Sequence, residues 1–367
     1  MKIIHCADLH LDSKLQANLG KEKAKIRKDE LLSSFVRLTE YASREGVSAI
    51  LLVGDLFDTK NISKLSRNTV VSAIERNPDI AFYYLRGNHD SDGFLQSLEK
   101  FPDNLYLFDD AWTEYALGDS DKVRLFGLEL TKENSGMLQN SFSPDPSNIN
   151  IVMLHGQESE TNSKDKAEMI NIRCYQNKGI NYLALGHIHA YKREKLDGTG
   201  VYCYCGCLEG RGFDETGKHG FVLLDIDEKN LTVTDTFVPF ATRETFEIPV
   251  DITGLDNSAD IIDKVSEALG ESGAKDRDLV KVVLVGNVSV ECEKDLEFIK
   301  HNFENNYFFF KIYDRCNFKV DYENFLLDES LKGEFVRLVM NEESMTEEEK
   351  GKVIRMGLSV IQGGKVL

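Results

Sequence analysis

Five short polar motifs, each lying directly behind an apolar run, constrain this chain more than any other feature of it. They are Asp8-Leu9-His10, Gly54-Asp55-Leu56-Phe57-Asp58, Gly87-Asn88-His89-Asp90, His155-Gly156 and Gly186-His187-Ile188-His189. The continuous apolar run 49–53, stopped by Gly54, reads as a buried strand, and so does 81–85, stopped by Gly87. Loops at strand ends are where a rigid scaffold presents side chains for chemistry. Five of the eight histidines fall inside these motifs, which scattered placement would rarely produce. Alone, each motif has an ordinary reading: Gly-Asp is turn chemistry, and a single His-x-His is more often neutral than metal-bound. The ordered set of five points to a site.

Around the motifs the chain alternates strands and helices. A helix is expected over 31–42, with Leu32, Phe35, Val36 and Leu38 as its apolar stripe, and another over 70–76. Further strands follow at 123–128, 149–154, 182–185, 201–204 and 221–226, so the α/β core grows richer in β towards its end. The stretch 141–150, with two prolines and several serines and asparagines, reads as a loop. Beyond about Phe240 the pattern changes to a small α+β module, with strands at 244–250, 280–285 and 307–312 and helices at 259–269 and 293–303. Two helical stretches, 329–340 and 347–361, close the chain. The 367 residues exceed the usual length of one domain, and three parts are expected: 1–240, 241–322 and 323–367.

Nothing approaches the roughly 20 consecutive apolar residues of a membrane span, and no cleavable signal is read at the start, so a cytoplasmic protein is expected. Seven cysteines show no disulfide-scaffold spacing and read as reduced thiols. Cys203, Cys205 and Cys207 alternate on one strand face and read as small buried residues rather than metal ligands. A net charge of −18 counts against broad nucleic-acid affinity, which normally rests on a basic surface. Against that stands a local basic cluster of Lys14, Lys21, Lys23, Lys25, Arg27 and Lys28. It could touch a phosphate backbone, or form a solvated helix face interleaved with Glu22, Asp29 and Glu30. Arg86 and Arg67 are further candidates to approach a phosphate.

The donor types in the motifs suit a pair of divalent cations. Asp and His supply oxygen and nitrogen ligands that fit manganese, iron or zinc better than calcium. Asp8 and His10, two residues apart, can point from one strand end into one cavity. Asp55, behind a strand and a glycine, can bridge two ions. Asn88 offers an amide oxygen, and His155, His187 and His189 complete the shells. Two ions about 3.5–4 Å apart would activate a hydroxide at neutral pH and clamp a phosphate for in-line attack. His89, beside Asn88, is the candidate to protonate the leaving oxygen, with Asp58 orienting it and raising its basicity.

In order and in residue type the motifs resemble the calcineurin-like metallophosphoesterase superfamily over roughly residues 1–225. The opening His5-Cys6-Ala7-Asp8-Leu9-His10-Leu11-Asp12, with Gly54-Asp55-Leu56-Phe57-Asp58-Thr59, is similar to the SbcD-type group of DNA repair exonucleases, above all its bacterial YhaO-like branch. The stretch 206–220, with Glu215, Gly217, Lys218 and Gly220, resembles a segment of that branch. The resemblance implies a two-layered β-sandwich flanked by helices. It implies one cation held by Asp8, His10, Asp55 and His189, and a second by Asp55, Asn88, His155 and His187, with manganese as the ion. Where archaeal and eukaryotic relatives have histidine, this chain has Asp58, so an Asp58–His89 pair is expected. The group also carries a small capping domain, for which 241–320 is the candidate. A C-terminal helical segment docks on an SbcC-like coiled-coil ABC-type ATPase, a place that 329–361 would fill, and relatives often pair as homodimers.

The expectation is therefore a metal-dependent DNA exonuclease or endonuclease of double-strand-break repair acting with that ATPase. A phosphodiesterase for nucleotides or cyclic nucleotides is the alternative, disfavoured by the extra domain and tail. A protein phosphatase fits the opening less well. A weakly active module that assembles a partner on DNA ends belongs to another class, and the complete donor set argues against it.

Overall fold

The computed structural model describes residues 1–361 except 14, 16–18, 59–61, 91–92, 119, 132–133, 135–140, 161–168, 290–291, 320–324 and 326. Its chain divides into two compact units, Met1–Glu244 and Thr245–Leu367. In the first, one six-stranded sheet is built from β1 (Lys2–Cys6), β2 (Ala49–Val53), β3 (Ala81–Leu85) and β4 (Leu105–Leu107). A second comprises β5 (Thr113–Leu117), β6 (Val123–Gly127), β7 (Ile149–His155), β10 (Tyr182–Gly186), β11 (Lys192–Lys195) and β12 (Val201–Tyr204). The short pair β8 (Gln157–Ser159) and β9 (Met169–Asn171) lies between β7 and β10 in the chain. Then β13 (Gly220–Asp227) and β14 (Thr232–Pro239) return to the first sheet, whose order is β14-β13-β1-β2-β3-β4; the second runs β11-β12-β10-β7-β6-β5.

Period-two alternation explains why these sheets stack. From the first sheet Ile3, Leu51, Val53, Tyr83, Leu85, Val222 and Leu224 share one buried cluster with Leu125, Ile151, Met153, Tyr182, Ala184 and Cys203 of the second. Their neighbours Ile4, Cys6, Ile50, Leu52, Phe82 and Tyr84 point the other way, into a cluster with helix α1 (Lys21–Arg44) and helix α2 (Lys64–Glu75). The outer face of the second sheet buries Val152, Leu154, Leu183 and Leu185 against Phe142, Ile170 and Tyr175. This is a two-layered sandwich flanked by helices, a mixed α/β fold.

Helix α1 is longer than the apolar pattern suggests and begins ten residues earlier, in a run of Lys and Glu. Its buried stripe of Arg27, Leu31, Phe35, Leu38 and Ala42 keeps the three- and four-residue spacing of one helix face, with an arginine where the pattern calls for an apolar residue. Ser63 caps α2, its Oγ accepting from the Ser66 amide at 3.1 Å. The four-residue α3 (Gly93–Gln96) follows the third motif.

The second unit holds a parallel sheet of β15 (Thr245–Asp251), β16 (Leu279–Val285) and β18 (Phe309–Asp314), with β17 (Asn287–Ser289) pairing β19 (Asn317–Lys319). Helices α4 (Ser258–Ser272) and α5 (Leu296–Phe303) bury Ile261, Val265, Leu269, Ile299 and Phe303 in the same core as Val280, Val282 and Leu284. A separate small core joins α6 (Leu331–Met340) to α7 (Glu347–Ile361) through Val336, Val339, Ile354 and Leu358.

Candidate metal centre

Strand direction brings the five motifs together. Strands β1, β2 and β3 run parallel in one sheet, and β7 and β10 run parallel in the other, so each motif lies at the C-terminal end of its strand. Backbone bonds lock the first two loops: the Asp8 amide donates to Gly54 O at 3.1 Å and the His10 amide to Asp55 O at 2.9 Å. The glycines are needed for close approach. A Cβ on Gly54 would lie 2.1 Å from His155 Nδ1, and one on Gly186 would lie 2.0 Å from Val53 O.

Three overlapping donor groups result. Asp8, His10 and His189 form one, Asp8, Asp55 and His155 a second, and His10, Asp58 and His89 a third, with the donor atoms of each group all within 4.8 Å of one another. Asp55 Oδ2 stands 3.7 Å from His10 Nε2 and 3.4 Å from His155 Nε2, between the two halves, while its Oδ1 accepts from the His89 amide at 2.9 Å. Asn88 Oδ1 lies 3.0 Å from His155 Nε2 and 3.2 Å from His187 Nδ1. The His187 amide donates to both oxygens of Asp8 at 3.0 Å. Asp58 Oδ1 lies 3.2 Å from His10 Nδ1 and 3.3 Å from His89 Nδ1.

The charge pattern of this set suits cations. Asp8 and Asp55 are each 1% exposed, and no lysine or arginine pairs with either carboxylate among the described residues. Burial pushes the Asp8 carboxyl up to about 6. Burial, with Arg211 nearby, pushes His10 down to about 3, so its ring stays neutral. Burial also disfavours charge on His155, yet the Asp55 and Asp8 carboxylates hold it up at about 9.

Asp58 takes the Nδ1 hydrogen of His10, and Glu215 takes that of His189 at 2.7 Å. The two Nε2 atoms then face each other at 3.1 Å. Two ring nitrogens at that separation are satisfied by a proton shared between them or by a cation in its place, and buried carboxylates favour positive charge too. The residues therefore fit a pair of metal ions, with His10, His189 and His155 each oriented by a hydrogen bond from Nδ1, that of His155 reaching Val53 O at 3.0 Å.

The remaining sequence-nominated residues fall elsewhere. Arg27 is a correction: it is 1% exposed, and its guanidinium binds Glu30, Glu209 and the Gly210 carbonyl, so it offers nothing to a phosphate backbone. Arg86 is turned onto Glu129, with Nε and Nη2 on the carboxylate at 2.9 and 2.5 Å. It lines a cleft of 190 Å³ with Asn88, Thr131 and His155. Arg67 lies on α2 against Ser97 O and Asn68. Lys21, Lys25 and Lys28 are exposed on α1 and Lys23 is half-buried; Lys14 lies outside the described residues. Cys203, Cys205 and Cys207 are fully buried.

Three contributors were not singled out for the site in the motifs. Asp90 accepts from the amides of Leu56, Phe57 and Gly87, tying the second loop to the third. Glu215 and Arg211 arrive on the loop after β12, and Arg211 donates through Nε and Nη2 to Glu215 Oε1 at 3.2 and 3.0 Å. Asp90 adjoins His89 in sequence and could have been found there; nothing local marks Arg211.

Residues 1–191 match the model of the family described as calcineurin-like phosphoesterase. Among curated proteins, the chain is 29% identical over 244 residues to the uncharacterised metallophosphoesterase YhaO of Bacillus subtilis, covering 63% of this chain and 59% of that protein. It is 27% identical over 242 residues to the DNA double-strand break repair protein Mre11 of Sulfurisphaera tokodaii, covering 61% and 59%. Its identity to the protein of that name from Sulfolobus acidocaldarius is 23% over 306 residues, covering 79% and 76%. The matches to the first two span about three fifths of those proteins' length.

Proposed function

This chain belongs to the calcineurin-like phosphoesterase family, a family of phosphoester hydrolases with a dinuclear metal site, and from that premise we propose that it is a manganese-dependent nuclease cleaving DNA phosphodiester bonds. The observation that carries the reading is the convergence of nitrogen and oxygen donors around Asp55, with His10 and His189 on one side and His155 and Asn88 on the other. One cation would be held by Asp8, His10, Asp55 and His189, the other by Asp55, Asn88, His155 and His187. Bound there, two divalent ions supply an activated water nucleophile and neutralise charge on the phosphate.

The chain's own part is positioning and proton transfer. His89 is half exposed, with Nδ1 3.3 Å from Asp58 Oδ1. The Asp58 carboxylate beside Nδ1 would favour the imidazolium form of His89, whose Nε2–H would protonate the leaving oxygen. Asp55 Oδ1, bonded to the His89 amide, couples the position of that acid to the centre of the site.

DNA as substrate is supported by the similarity to archaeal DNA double-strand break repair proteins, and an SbcC-like coiled-coil ATPase is the partner proposed from the sequence resemblance. The helices α6 and α7 also leave Leu331, Leu338, Met356 and Val360 exposed, apolar surface that a partner would cover. The net charge of −18 favours a second reading, hydrolysis of a small phosphodiester. Wild type and His89→Ala, given end-labelled duplex DNA and a generic small diester with manganese, separate the two. Cleavage of both substrates, lost in the variant, is the expected result; a diester cut while DNA stays intact with and without the ATPase moves the small-molecule reading to first place.

A further inference from the structure

Among the described residues, the arginine that reaches the proposed acid pair is one the motifs do not contain. Arg211 Nη1 lies 3.7 Å from Asp58 Oδ1, on the side of the site where His89 stands. Its Nε and Nη2 are held by Glu215 Oε1, and its backbone amide donates to Glu215 Oε2 at 2.6 Å. His189 Nδ1 sits 3.2 Å from Nη2, but that nitrogen already donates to Glu215 at 2.7 Å, so the approach is packing rather than a hydrogen bond. The guanidinium is therefore clamped along one edge. The other edge, Nη1, turns towards Asp58 at a distance too long for a hydrogen bond.

The loop beneath it is braced. Arg27 grips the Gly210 carbonyl at 2.6 Å, and the Cys207 amide donates to His189 O at 3.0 Å. Arg86, by contrast, is drawn to Glu129 on the Asn88–His155 side.

Resting on the phosphodiester reading above, we propose that Arg211 binds a non-bridging oxygen of the scissile phosphodiester through Nη1, on the leaving-group side of the site. A planar guanidinium with one edge pre-bound offers the phosphate a fixed pair of N–H donors that needs no reorganisation. Glu215 has two tasks in this arrangement, orienting His189 and orienting Arg211. Asp58, between Arg211 and His89, keeps the arginine from swinging away when no phosphate is bound.

The test uses the full chain loaded with manganese and compares wild type, Arg211→Ala and Arg211→Lys. Metal per chain, the Kd for inorganic phosphate by calorimetry, and kcat/KM on a small phosphodiester are each measured. In Arg211→Ala, phosphate affinity and kcat/KM fall by about 100-fold, the scale of losing a preorganised donor to a developing anion, with metal content unchanged. Added guanidinium ion restores part of the rate. Arg211→Lys keeps the charge but not the fork and falls between; it decides the matter if the alanine variant fails to fold. Unchanged phosphate affinity overturns the proposal, and so does a loss of metal that accounts for all the lost activity, which would make Arg211 a support for His189 alone. Wild type that binds phosphate without hydrolysing the diester removes the functional reading and leaves Arg211 to be judged on Kd. Wild type that does neither overturns both.

Discussion

Replacing Gly87 by alanine is the smallest change that reaches the middle of the site without altering a donor atom. A Cβ there would lie 2.3 Å from Asp55 Oδ1, 2.6 Å from the Asp55 amide nitrogen and 2.8 Å from His155 Cε1. Real Cβ contacts essentially never fall below 3.0 Å. The carboxylate or the strand end must therefore retreat by at least about 0.7 Å, where metal ligands tolerate about 0.2 Å. The cost in stability is that of overpacking, about 1–3 kcal/mol, against the 5–15 kcal/mol or so of a typical domain, so the variant stays folded. Manganese affinity should drop by about 10- to 100-fold, as for other disturbances of ligand orientation. Equilibrium dialysis with metal quantified by mass spectrometry reads the affinity, and thermal melts on the same samples read the fold. Gly198→Ala is the control, since a Cβ there meets nothing within 4 Å. A folded Gly87→Ala protein that binds manganese as tightly as wild type would refute the placement of Asp55 at the heart of a cation site.

Asp55→Ala should abolish hydrolysis and lower the metal content measured on the purified protein, because it takes a donor from both halves of the site; retained activity would end its assignment as a bridge. His89→Ala should keep metal near normal while turnover slows by about 100-fold; metal loss in parallel would make His89 a ligand instead. Removing residues 325–367 should spare hydrolysis of a small diester and abolish co-purification of the coiled-coil ATPase, and undiminished association would leave α6 and α7 a packing role only. For metal-free protein the pH dependence has a definite sign. His155, held up at about 9, and His189, also raised despite burial by its bond to Glu215, contribute stability that is fully present below about 6.5, the ordinary histidine value. That stability is lost as pH rises through the raised values, so melting temperature in chelator should fall between pH 6.5 and 9 and the gap to the manganese-loaded protein should widen. A melting temperature that climbs over that range would contradict the ionisation scheme.

The sequence made the strands that carry the motifs legible because both of their faces are buried, which leaves continuous apolar runs with glycine stops. The strands it hid are half-exposed ones: β14 alternates Val233, Thr234, Asp235 and Thr236 with mostly exposed or half-buried side chains, and no run of apolar residues marks it. The donor residues were legible because strand ends concentrate them. Arg27 was misread for a reason visible in hindsight. Its lysine neighbours suggested a basic face, yet Arg27, Leu31, Phe35 and Leu38 keep the spacing of a single helix stripe, and that stripe is buried. The places of Arg211 and Glu215 were not legible from spacing, because a loop without periodicity acquires its meaning only when β10 and β12 pair and carry it over His189.

Local backbone geometry singles out part of the site. Among the described residues, eight other than glycine have positive φ, and four of them are Asp8 at 54°, His10 at 46°, Asp55 at 51° and His187 at 100°. Such conformations cost about 1–3 kcal/mol each and persist only where the surroundings over-determine them. Here the determinants are identifiable: the Asp8–Gly54 and His10–Asp55 backbone bonds, the His187 amide on Asp8, and the Asp90 carboxylate across three amides of the neighbouring loops. Each of these four is also a donor residue, and each is restrained by another part of the same site. Relaxing any one of them would turn its side chain out of the convergence on Asp55, so the strain and the donor geometry are two aspects of one constraint.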